Sequence, residues 1–111
     1  MAFRPVSVDG AQIANSATTY YTATNCQARI DACTLTNTTA GAITVTLYIV
    51  PSGGSAAASN TALSSYSVAA GETLVVAGVI GQWIEDGGTF QAVASAATSV
   101  TLLLSVMQFT S

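Results

Sequence analysis

The sequence predicts an all-β domain, a single β-sandwich of about seven or eight antiparallel strands in jelly-roll or immunoglobulin-like order. Three observations predict it. Thr, Val, Ile and Tyr alternate apolar with polar at a period of two residues. Clusters of Gly, Pro, Asn and Ser punctuate that alternation at spacings of about 8–12 residues, the rhythm of a sandwich or barrel. No segment carries a helical period with its caps.

Each element follows from that pattern. Residues 1–17 alternate weakly, with Phe3-Arg4-Pro5 and an Asp9-Gly10 turn signal. They read as an edge strand, or as an arm that orders on a partner. Residues 18–111 form the sandwich. Thr18 to Thr24 is a strand that sets Tyr20 and Tyr21 on opposite faces. Gln27 to Asn37 is a strand with Asp31, Cys33, Leu35 and Asn37 in phase and Ile30 out of phase. That offset predicts a bulge near Ile30, or cover on both faces at that end. Gly41 to Val50 alternates best, with Ile43, Val45, Leu47 and Ile49 opposite Thr44, Thr46 and Tyr48. The short link at Asn37 to Gly41 predicts an antiparallel hairpin between these two strands.

After the breaker cluster Pro51 to Gly54, Ala56 to Ala62 reads as a loop with at most one helical turn. Ala62 to Val68, Glu72 to Val76 and Thr89 to Ala94 are further strands. Ser99 to Phe109 is the last, with Val100, Leu102, Leu104 and Val106 on one face and Leu103 and Met107 on the other. Apolar residues on both faces predict a central strand, or one covered by a neighbouring subunit.

The chain has 111 residues, enough for one domain. At this size a core without disulfide or metal is feasible. Mean hydropathy is +0.55, yet no apolar run approaches the ~18 residues of a bilayer span. The N-terminus has no continuous apolar stretch, and Pro5 and Asp9 interrupt it. It does not read as a secretory signal, so synthesis and assembly in a cytoplasm are expected.

Charge excludes several functions. Arg4 and Arg29 are the two basic residues, and the net charge is −3. Charged residues are 6% of the chain, against about 25% in an ordinary domain. Two arginines cannot neutralise a phosphate backbone or hold an anionic membrane, so neither nucleic acid nor membrane is an expected partner. A Thr, Ser, Asn and Ala surface gives little colloidal protection to a free monomer. It suits a protein that covers itself by assembling.

Catalytic chemistry lacks its side chains. The sequence has no His, which removes a Ser-His triad and histidine metal ligands. It has no Lys, which removes Schiff-base and Ser-Lys chemistry. Glu85 and Asp86 are adjacent beside Gly87-Gly88 and read as a polar loop tip. The Gly pairs lack the lysine and helix of a phosphate-binding loop. No catalytic residue, cofactor or metal is expected. Cys33 reads as a small core hydrophobe and Cys26 as a free thiol near a strand start, with a disulfide between them as the alternative.

Binding residues are easier to nominate. The candidate interface is Phe3, Arg4, Pro5, Tyr20, Tyr21 and Trp83. Trp83 is the sole tryptophan, and tryptophan often anchors interfaces. Trp83, Tyr20 and Tyr21 can also stack on sugar rings, with Asp86 as acceptor.

The run of features from Thr18 to Val106 resembles a family of small tailed-phage virion proteins. The resemblance lies in Asp31 to Thr39, Ile43 to Tyr48, Val50 to Gly54 and Gly71 to Thr73. The Phe3-Arg4-Pro5 segment and the cysteines depart from it. The resemblance implies a short all-β virion component that decorates or cements the capsid shell. Its partners would be copies of itself, as a trimer by family analogy, and the major capsid protein or other virion proteins. A tail, neck or fibre component and a receptor- or carbohydrate-binding module are the alternatives.

Overall fold

The computed structural model describes residues 2–110. Met1 and Ser111, which end the two predicted segments, lie outside the described residues. Among the described residues, nine strands form two antiparallel sheets. In chain order they are β1 (Ala2–Gln12), β2 (Thr18–Thr22), β3 (Gln27–Asn37), β4 (Ile43–Val50), β5 (Thr61–Val68), β6 (Thr73–Val75), β7 (Trp83–Ile84), β8 (Thr89–Ala94) and β9 (Val100–Thr110). Single 3-10 turns occupy Ala58–Asn60 and Ala77–Val79.

The first sheet has the order β1-β9-β3-β6, and β7 pairs with the same edge of β3 as β6. The second has the order β2-β8-β4-β5. Apart from the β4–β5 hairpin and the β6–β7 step, each link carries the chain to the opposite sheet. That connectivity is the jelly roll. Of the two orders the alternation allowed, the immunoglobulin-like one is therefore not formed.

The period-two pattern builds the core. Val100, Leu102, Leu104 and Val106 of β9 are buried against Phe90, Ala92 and Ala94 of β8 and Val45 and Leu47 of β4. Phe90 is the largest fully buried side chain, and the small residues Ala23, Ala28, Ala92 and Ala94 share its core. The register of β3 on β9 shifts between Ile30 and Ala32. That bulge buries Ile30 and Cys33 together and leaves Asp31 and Ala32 outside, as the phase offset at Ile30 predicts. A central β9 between β1 and β3 also accounts for its apolar residues on both faces in part.

Two expectations are corrected. The predicted hairpin between Gln27 to Asn37 and Gly41 to Val50 is absent, because β3 and β4 belong to different sheets. Asn37 is the cause. Its side chain is fully buried. Its Nδ2 donates to the carbonyls of Gly41 at 2.8 Å and Val68 at 2.9 Å. Its Oδ1 accepts from the Thr39 backbone N–H at 2.9 Å and the Thr39 hydroxyl at 2.7 Å. Both donors and both acceptor sites of the amide are thus used. The link is bent over the end of β5 instead of folding back beside β3. Backbone bonds from Asn37 N to Glu72 O and from Gly71 N to Asn37 O tie in the β5–β6 turn as well.

The second correction concerns Trp83 and Ile84, which fell in a predicted loop. They pair with Arg29 and Ala28 as the short strand β7. The turn after them is held by backbone bonds between Gly87, Gly88 and Ala23. Gly87 has φ of 84°, and a Cβ there would meet Ser52 Oγ at 2.6 Å. Glycine is required on both counts.

Replacing Asn37 tests this latch. Asn37→Ala removes the donor to the Val68 carbonyl in a buried bond and is expected to cost about 1–3 kcal/mol. Urea unfolding measures it, with Thr44→Ala on an exposed strand face as a comparison expected within about 0.5 kcal/mol.

Candidate functional site

The outer face of the first sheet carries the candidate site. Antiparallel register builds it row by row. Phe3 of β1 lies opposite Phe109 of β9, which lies opposite Gln27 of β3. In the next row Pro5, Met107, Arg29 and Trp83 follow one another across four strands. Farther along, Leu103 and Val75 flank Thr34. Each of these side chains points away from the core because its neighbour in sequence points in.

Aromatic contacts fix one end of this face. The Phe3 and Phe109 rings meet edge to face with centroids 5.0 Å apart. Trp83 and Phe109 are tilted, also at 5.0 Å. The Arg29 guanidinium lies 5.5 Å from the Phe109 ring centre, within cation–π range. Asp31 accepts from Arg29 Nε at 3.0 Å, so the cation is held over the ring by an exposed pair worth at most about 1 kcal/mol.

These groups are rigid and still open to solvent. Phe3 is 64% exposed, Val75 60%, Leu103 52% and Trp83 49%. Pro5 is exposed, and Met107 and Phe109 are half-buried. Apolar side chains this exposed on one sheet face mark a contact surface.

The structure brings Phe3, Pro5 and Trp83 together and sends the other nominated residues elsewhere. Arg4 pairs with Gln108 and lies on the opposite face of β1 from Phe3 and Pro5. The register of β2 on β8 shifts between Thr19 and Tyr21. This bulge corrects the expectation of opposite faces, since both tyrosine rings pack against the core. The Tyr20 hydroxyl accepts from the Ala14 N–H at 2.8 Å, and the Tyr21 hydroxyl accepts from Gln108 Nε2 at 2.7 Å. Asp86 accepts from the Asn25 N–H at 3.1 Å and so supports its own loop.

Phe109, Met107, Leu103, Val75 and Arg29 complete the face and were not nominated from sequence. For Leu103 and Met107 the signal existed, as apolar residues out of phase with the buried side of their strand. Trp83 joins them only through β7, whose two residues are too short to show a period.

No protein-family model matches the sequence, and no curated protein is similar to it. Two solved structures resemble the chain in fold. One belongs to Bacillus endospore appendages, described as a novel family of disulfide-linked pili. It is 17% identical, with 98% of this chain and 87% of that chain covered, at a TM-score of 0.58. The other is from infectious bursal disease virus, Gx strain, 13% identical, with 97% of this chain and 37% of that chain covered, at a TM-score of 0.47. At such identities the likeness is one of fold.

Cys26 and Cys33 are both free and buried, so the disulfide alternative is not formed. Burial pushes the Cys33 thiol up from its ordinary 9.0 to about 12. Burial also raises the Tyr21 hydroxyl above 10.0, against the lowering effect of the Gln108 hydrogen bond. The folded protein therefore holds these protons to higher pH than the unfolded chain does. The Cys33 contribution to stability is fully present below pH 9.0 and is lost as pH climbs from there towards about 12. Denaturant unfolding between pH 7 and pH 12 should follow this course, and Cys33→Ala should flatten the alkaline fall.

Proposed function

We propose that this protein is a non-enzymatic structural subunit of a phage virion, which decorates or cements the capsid shell. The outer face of its first sheet is the docking surface. The observation that carries the reading is that face: exposed Phe3, Trp83, Leu103 and Val75 on a rigid sheet, in a chain where 6% of residues are charged.

The physical argument is one of repetition. A shell subunit is bound by many symmetric copies of a modest contact, so no single strong site is needed. Aromatic anchors already fixed on strands lose little side-chain freedom when covered. A surface of Thr, Ser and Ala around them leaves few charges to desolvate. The jelly roll gives such a face a stable frame. The assembly of a similarly folded subunit into pili supports self-association, and the resemblance from Asp31 to Gly54 supports the virion setting. A major capsid protein or a second copy of this chain is the partner that fits.

Antibody-gold labelling of intact particles, with mass spectrometry of the same particles, tests the assignment. Label spread over the head is expected. Label confined to tail, neck or fibres would overturn decoration and keep a virion role, and absence by both methods would sink the virion reading. Phe3→Ser with Leu103→Ser should leave the thermal transition of the purified protein nearly unchanged. The same pair should lower incorporation into particles more than about tenfold, as for lost interface anchors.

A further inference from the structure

A second surface has different chemistry. Along one side of the sandwich, where β7 and the end of β3 face the ends of β4 and β5, two clefts adjoin. The first, of about 260 Å³, is lined by Gln27, Ile49, Val50, Pro51, Trp83, Ile84 and Glu85. The second, of about 370 Å³, is lined by Ile49, Asn60, Thr61, Ala62, Gly78 and Gln82. Ile49 is common to both, and Gln82 precedes Trp83 in the chain. Read together through Ile49, they make one candidate groove.

We infer that this groove binds a neutral oligosaccharide, one sugar ring in each half. The lining chooses the ligand. Trp83 and Pro51 supply an apolar surface suited to the C–H face of a pyranose. Gln27 and Gln82 carry amides, each a donor and an acceptor at once, which is what neighbouring sugar hydroxyls need. Among the described residues, neither amide side chain nor the Glu85 carboxylate has a hydrogen-bond partner within the protein. Asn60 has a different role, because its amide holds the Ala58–Asn60 turn through Ser55 O and Ala57 N.

Charge narrows the class further. The groove has no cationic side chain in its lining and one carboxylate, Glu85. Phosphorylated, sulfated and sialylated ligands are disfavoured there. An organic cation would meet a single carboxylate on an exposed position, which is a weak determinant. The two free amides of Gln27 and Gln82 and one indole favour the uncharged, hydroxyl-bearing ligand. The volumes fit, since pockets of roughly 300 Å³ mark the small end of ligand sites. Gln27 and Trp83 stand at the edge shared by this groove and the docking face, and the purified protein suffices to test the inference.

Trp83 is the sole tryptophan, so its emission reports the groove directly. The purified protein is titrated with maltotetraose, cellotetraose, mannotetraose and chitotetraose, and separately with choline and lysine. The side-chain amide signals of Gln27 and Gln82 are followed by NMR in parallel. The expected result is a saturable emission change with at least one tetrasaccharide, with both amide signals moving. Gln82→Ala should weaken that binding about three- to tenfold, the worth of one hydrogen bond. No response in emission or amide signals to any of the four sugars overturns the inference. So does saturation by choline or lysine alone.

Discussion

The buried amide of Asn37 ties the end of β3 in one sheet to the end of β5 in the other. A strand followed by a short polar link ordinarily folds back as a hairpin. Here the amide has no solvent to turn to, and burying it without partners would be costly. It finds four partners in the link itself and at the end of β5. The Val68 bond needs the end of β5 beside the end of β3, whereas the Thr39 and Gly41 bonds are local to the link. With that crossing made, β9 enters between β1 and β3, and β8 between β2 and β4. The Val68 bond is the polar contact that fixes this arrangement where the two sheets meet.

That connectivity makes the two surfaces. Placing β9 in the middle of the first sheet aligns Phe109, Met107 and Leu103 down its outer side. β1 brings Phe3 and Pro5 to one flank, and β7 brings Trp83 to the other. Trp83 sits where the aromatic face ends and the groove begins. The dry, aromatic face suits a protein partner that excludes water. The amide-lined groove suits a ligand that keeps its hydroxyls bonded. One rigid frame carries both because the loops that shape the groove leave from strands fixed in the core.

Much of the fold was legible in residue order. The bounds of β3 and β8 follow from alternation alone, because their inward residues, Asn37 excepted, are apolar or small. The bulge at Ile30 was legible for the same reason, as a break in phase. The order of strands was not, since alternation says which face is buried and not which strand lies beside it. The Asn37 bonds are long-range in the case of Val68, and nothing in the link reveals them. At the site, Phe3 and Trp83 were legible as residue types. Their meeting across Phe109 was not, because it depends on a pairing between the two ends of the chain. Tyr20 and Tyr21 misled because a β-bulge reverses the parity of their strand.

The central claim is that the outer face of the first sheet is covered in the assembled particle. Hydroxyl-radical footprinting, read by mass spectrometry, tests it on the free protein and on intact particles side by side. Phe3, Leu103 and Met107 are the positions to follow, since they lie on the face and outside the groove lining. The account predicts oxidation of all three in the free protein and strong protection in the particle. Equal oxidation in both states would contradict it, and would move the contact to another surface of the jelly roll.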